Sequence, residues 1–98
     1  PVMQELGINE NDFSLIHAPE TIGMAESPTK AIMSKKQSSI AIGFGMLKEK
    51  QLDCFISAGN TGAMMVGAMY SVKPIEGIIR PVITSVLPKL DGSIGILL

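Results

Sequence analysis

The 98 residues predict an α/β fold, three layers deep with a mixed sheet. Three observations carry that expectation. Short β-prone runs alternate with helical patterns over most of the chain, the order that builds parallel strands. The run Asp53-Cys54-Phe55-Ile56-Ser57 breaks at Ala58-Gly59-Asn60-Thr61-Gly62 and then turns helical. Near the end, Asp91-Gly92 separates two apolar runs, which signals an antiparallel hairpin.

The elements follow in order. Residues 1–7 read as the end of a helix stopped by Gly7. Asn9 to Asp12 are turn residues, and Phe13 to His17 form a short strand closed by Ala18-Pro19. A loop from Glu20 to Glu26 leads to Ser27-Pro28. Serine can cap free N–H groups there, and proline is tolerated at the first helical position. That helix runs to about Lys36. Ser38 and Ser39 offer a second cap, after which Ile40, Phe44 and Leu47 make an apolar stripe that ends at Lys48-Glu49-Lys50. Gly43 and Gly45 weaken this helix, so close packing on the sheet is expected to require them.

Asp53 to Ser57 is the next strand, with Cys54 packed inside it. Asn60 or Thr61 caps a helix to about Val72. Residues 63–69 of that helix are apolar on nearly every side, which predicts burial all round. Lys73 to Gly77 connects to a strand at Val82 to Leu87, ended by Pro88. Leu90 to Ser93 turn the chain into a last strand at 94–98.

Composition narrows the function. Eight basic against nine acidic residues, no Trp and one Tyr leave neither a basic footprint nor a stacking platform for nucleic acid. A single cysteine excludes an internal disulfide framework and a Cys-rich metal site. No cofactor or metal is expected. The longest apolar stretch, around Ala63 to Val72, is too short to span a bilayer. Pro1 is not an initiator methionine and the chain stops within an apolar run, so it reads as a piece of a longer protein.

The turn at 57–62 is the expected seat of chemistry. A strand-to-helix turn aims several unpaired N–H groups at one spot, and the helix dipole makes that spot attractive to an anion such as phosphate. Gly59 and Gly62 let the backbone approach closely, while Ser57, Asn60 and Thr61 can add side-chain hydrogen bonds. The same residues also make an ordinary helix cap. The run lacks the Gly-Lys-Ser/Thr ending of a P-loop and the three-glycine dinucleotide fingerprint.

An ordered set of motifs resembles the phosphate acyltransferases of bacterial phospholipid synthesis. It comprises Ser-Pro-Thr-Lys-Ala-Ile at 27–32, Lys-Lys-Gln-Ser-Ser-Ile at 35–40, Ser-Ala-Gly-Asn-Thr-Gly-Ala at 57–63, Arg80-Pro81, and Leu87-Pro88 with Asp91-Gly92. The resemblance covers the chain from Phe13 onward. Lys89 departs from it, since many members carry threonine there. The resemblance implies a fold like that of isocitrate dehydrogenase and phosphate acetyltransferase, with residues 1–98 a fragment of one acyltransferase domain. It implies reversible transfer of a long-chain acyl group from an acyl-carrier-protein thioester to inorganic phosphate. The acyl phosphate would then pass to a membrane glycerol-3-phosphate acyltransferase. Members are homodimers of the cytoplasm with peripheral contact at the inner face of the membrane.

Within that reaction, Asn60 and Thr61 are the expected catalytic residues. Ser57, Gly59, Gly62, Lys35, Lys36, Ser38 and Ser39 are expected to bind phosphate or substrate. The lysines at 30, 35 and 36 can alternatively steer the acidic carrier protein, or simply form a solvated helix face. His17 at a strand end is a structural residue before it is a general base, and the methionines at 64, 65 and 69 fill a core. Arg80 can contact phosphate or a neighbouring subunit, although a turn arginine before proline is usually just exposed, and Thr84 and Ser85 can bond to neighbouring backbone as readily as line a site. Two rivals use the same loop: a phosphate acetyl- or butyryltransferase acting on acyl-CoA, and a non-catalytic module that binds a phosphometabolite.

Overall fold

The computed structural model describes residues 2–98. Its elements are α1 (Val2–Glu5), a single 3-10 turn (Glu10–Asp12), α2 (Pro28–Ser34), α3 (Ser39–Lys48), α4 (Thr61–Ser71), β1 (Ser85–Pro88) and β2 (Ile94–Leu97). Helix and strand are both present, so the α/β character holds. Pro1, the first residue of the expected N-terminal helix, lies outside the described residues.

Helices α2, α3 and α4 form the body. Their core is Ile22, Ala31, Ile40, Phe44 and Ala63, with Ile32, Leu47, Phe55, Met64 and Ala68 packed against it. The 40–44–47 stripe therefore faces inward, as helical spacing requires. Phe44 and Phe55 meet edge-to-face, with ring centroids 5.2 Å apart. Both rings explain nearby glycines. A Cβ on Gly43 would collide with the Phe55 ring, and one on Gly67 with the Phe44 ring. Gly45 differs: a Cβ there would meet nothing within 4 Å, so close packing does not require it.

Caps set the helix starts. Ser38 precedes α3, and its hydroxyl accepts from Ala41 N–H at 3.3 Å. Asn60 precedes α4, and its Oδ1 accepts from Ala63 N–H at 3.0 Å. Ser27 precedes α2 with extended backbone but makes no side-chain cap bond, so Pro28 alone marks that start. Helix α2 ends at Ser34, earlier than expected, with Lys35 as its C-cap.

The strands depart most from expectation. Residues 13–17 and 53–57 form no ladder, and the one parallel pairing among the described residues is an isolated bridge between Glu20 and Ser38. An extended run becomes a strand only when a neighbour accepts its backbone hydrogen bonds, and neither run finds one. Cys54 is accordingly exposed rather than packed. Helix α4 is not enclosed on all sides: Ala63 and Gly67 are buried, whereas Thr61, Met69 and Tyr70 are exposed.

The hairpin forms as expected. β1 and β2 pair antiparallel with Val86 opposite Ile96 and Leu87 opposite Gly95. Gly92 takes φ +79°, a left-handed conformation that glycine adopts without penalty. Asp91 Oδ1 accepts from Ser93 N–H and Oγ–H at 2.9 and 2.7 Å, closing the turn. Residues 82–84, expected as strand, precede the pairing.

Candidate functional site

The 57–62 turn sits where α4 begins, beside α2 and α3. Gly62 lies so close to Pro28 that a Cβ would strike the proline ring. Gly59 approaches Ile40 at the start of α3, where an added Cβ would lie 3.8 Å from Ile40 Cδ1. Thus Gly62 is required by the close approach to Pro28, whereas a Cβ at Gly59 would make only ordinary contact. Ser57 is half-buried, and its hydroxyl oxygen accepts from Gly59 N–H at 3.1 Å. Its own hydrogen remains available to another acceptor. Thr61 is exposed at the first position of α4.

Asn60 is differently placed. It is buried at 4% exposure, and Nδ2 donates to the carbonyls of Gly23, Met24 and Glu26 at 2.9, 3.4 and 3.4 Å. With Oδ1 taken by Ala63 N–H, the whole amide is spent on the protein itself. Its geometry is that of a clamp between the loop at 21–26 and the first turn of α4.

The lysine-serine segment divides. Lys35 Nζ donates to Glu26 Oε1 at 2.6 Å and to the Thr21 carbonyl at 2.7 Å. Glu26 Oε1 also accepts from Gly23 N–H at 2.7 Å. These contacts, the Lys35 ammonium first, hold the Glu26 carboxyl below the usual glutamate range. Ser38 is buried: its hydroxyl donates to the Lys35 carbonyl at 2.8 Å while capping α3. Ser39 is exposed at the first position of α3. Lys36 is exposed and lines a groove with Ile32, Met33 and Tyr70. Tyr70 lies nine positions after Thr61 on α4, about 13 Å of helix, so Lys36 is not gathered to the loop.

The loop opens onto a cleft of about 490 Å³. Ser57, Gly59 and Thr61 supply its polar edge, while Phe44, Phe55 and Met64 line its apolar side. Hydroxyl and backbone donors therefore adjoin a surface suited to hydrocarbon. Such a cleft can hold an anion at the helix start and an apolar chain beside it.

Sequence reasoning missed Glu26, which belonged only to a loop. The signal available was Gly23 three residues earlier, a spacing that lets a carboxylate bond back to a backbone N–H. Nothing periodic linked Glu26 to Lys35, nine positions on, or to Asn60.

The chain is similar over its whole length to known proteins. The family model described as "Fatty acid synthesis protein" matches residues 1–98. The phosphate acyltransferase of Magnetococcus marinus is 43% identical over 90 residues, covering 92% of this chain and 26% of that protein. The phosphate acyltransferase of Thermoanaerobacterium thermosaccharolyticum is 45% identical over 84 residues, 86% of this chain and 25% of that protein. That of Dictyoglomus turgidum is 40% identical over 97 residues, 99% of this chain and 29% of that protein. The chain thus spans about a quarter of the length of these relatives. With the match extending from residue 1 to residue 98, the chain belongs to the fatty acid synthesis protein family.

Proposed function

We propose that the protein transfers a long-chain acyl group from an acyl-carrier-protein thioester to inorganic phosphate, and that residues 57–62 bind the phosphate. The supporting observation is the cleft at the start of α4, where polar donors meet an apolar wall. A phosphorylated product with a hydrocarbon tail needs both. The relatives' name, phosphate acyltransferase, agrees with this reading.

In the reaction, an oxygen of hydrogen phosphate attacks the thioester carbon. The new C–O bond forms first and places the carbonyl electron pair on oxygen; collapse of this tetrahedral oxyanion breaks C–S, and the phosphate's proton leaves with the carrier as its free thiol. Phosphate is already a nucleophile, so the protein's task is to hold it against the thioester and stabilise the tetrahedral oxyanion. Thr61 supplies an exposed hydroxyl and the first N–H of α4, and Gly62 the second. Ser57 donates its free hydroxyl hydrogen, and Gly59 lets the loop approach. Asn60 sets the loop's geometry through its own carbonyl and N–H partners. Ser38 and Ser39 begin α3 alongside, and Lys35 secures the adjoining loop. Lys36 lies on an exposed face suited to the acidic carrier protein.

The complete domain, in this reading, is a three-layer αβα structure with a mixed sheet of the isocitrate dehydrogenase and phosphate acetyltransferase type. Residues 13–17 and 53–57 become strands in it. The protein works as a homodimer in the cytoplasm, touches the inner face of the membrane and delivers acyl phosphate to a membrane acyltransferase.

The test uses full-length protein with acyl-carrier-protein and phosphate, and measures acyl phosphate. Thr61→Val is expected to raise the phosphate KM about tenfold, and Asn60→Ala to lower activity at least as much. Unchanged rate and phosphate affinity in both variants would remove the loop from the site. Turnover only with short acyl-CoA would identify an acetyl- or butyryltransferase. Absence of phosphate-dependent thioester cleavage would leave a binding module.

A further inference from the structure

We propose that Glu26, paired with Lys35, is a positioning residue for the anion-binding loop: the pair closes residues 21–26 into a rigid turn whose carbonyls hold Asn60 in register. The inference rests on the reading of residues 57–62 as the phosphate site, and assigns it a support within the chain.

The chain of contacts is continuous. Lys35 Nζ reaches both the Thr21 carbonyl and Glu26 Oε1, so one ammonium joins the two ends of the turn. Glu26 Oε1 also receives Gly23 N–H, and Glu26 N–H donates to the Gly23 carbonyl at 3.2 Å. The turn so formed directs the carbonyls of Gly23, Met24 and Glu26 at one amide, Asn60 Nδ2. Asn60 Oδ1 then takes Ala63 N–H, and the Asn60 carbonyl accepts from Met64 N–H at 3.0 Å. The orientation of Thr61 and Gly62, whose N–H groups would receive the phosphate in this reading, follows from those two bonds.

The energetics make the coupling strong. Asn60 is buried, and a buried amide that loses its acceptors bears the full desolvation cost. If the 21–26 turn loosens, Asn60 must turn toward water or leave its N–H groups unpaired. Either outcome disturbs the first turn of α4. Glu26 acts through Asn60 rather than on substrate, so its role is to place the site. A carboxylate is suited to this because one oxygen serves an ammonium and a backbone N–H together.

The experiment measures steady-state kinetics of full-length parent, Glu26→Gln and Glu26→Asp, with phosphate and acyl-carrier-protein thioester varied separately. Folding is checked by circular dichroism at the assay temperature. Glu26→Gln is expected to raise the phosphate KM about tenfold, with the thioester KM within about twofold of parent. Glu26→Asp, which keeps the charge, is expected to recover most of the loss. Where Glu26→Gln does not fold, Lys35→Met is read in its place with the same expectation. A phosphate KM within about twofold of parent, or equal rises in both KM values, overturns the positioning role. A parent that makes no acyl phosphate overturns the functional reading and this inference with it. A parent that does, beside an unaffected Glu26→Gln, overturns this inference alone.

Discussion

The α2–α3–α4 body and the β1–β2 hairpin satisfy their backbones in opposite ways. In the body, the decisive groups are buried or half-buried and their partners are distant in sequence. Asn60 bonds to carbonyls 34 to 37 positions away, and Lys35 to a carbonyl 14 positions away. In the hairpin every partner is local: Asp91 bonds to Ser93, and each β1 residue pairs with one on β2 fewer than 13 positions on. The hairpin buries almost nothing, since Val86, Leu87, Ile94, Ile96 and Leu97 are all exposed. The difference shows that hydrogen-bond order and burial are separable here. Turn chemistry suffices to shape a hairpin, but only the body encloses polar side chains and so fixes a site.

The largest test of that contrast is a pair of truncations. Phe44→Ala removes a buried ring that meets Phe55 and fills the space over Gly67, and should cost about 3 kcal/mol in urea unfolding. Leu90→Ala in the hairpin turn, fully exposed, should stay within about 0.5 kcal/mol. Equal costs would mean that the hairpin is covered as the body is.

The caps give a smaller effect with the same logic. Asn60→Ala loses the Ala63 cap and strands three carbonyls, an expected loss of about 2 kcal/mol. Ser27→Ala, at a cap position with no side-chain bond, should change stability by only about 0.3 kcal/mol. A comparable loss at both would sever cap strength from burial.

The smallest effect is acid sensitivity. Glu26 and Asp91 both titrate below their ordinary ranges, the first chiefly through Lys35 and the second through Ser93. The unfolded chain therefore takes up protons first as pH falls. Their stabilisation is present above the ordinary carboxylate range and is lost as pH drops through the folded values. In thermal melts across acidic pH, Glu26→Gln should flatten the loss for the body and Asp91→Asn that for the hairpin. An unchanged profile in either variant would remove that carboxylate from the account.

Local signals were legible where local physics decides. Gly7, the Ser38 cap, the 40–44–47 stripe, the Asn60 cap and the Asp91-Gly92 turn all lie where residue type and spacing place them. The runs at 13–17 and 53–57 carry strand-like residues but no ladder, because a strand is a property of two segments and sequence shows one at a time. Gly43 and Gly45 look alike in sequence, yet only Gly43 faces an aromatic ring.

The sequence by itself determined the helix starts, the hairpin, the turn at 57–62 that leads into α4 and the family, since each depends on contiguous residues or their order. Tertiary structure alone decided which polar groups at that turn stay free. Asn60 and Lys35 have side chains fit to grip a ligand, but folding brings carbonyls and a carboxylate against them first. Asn60, a buried donor, must be paired, and the half-buried Lys35 is held by Glu26, so those two became the frame, while the exposed Thr61 and the half-buried Ser57 kept hydroxyls to offer.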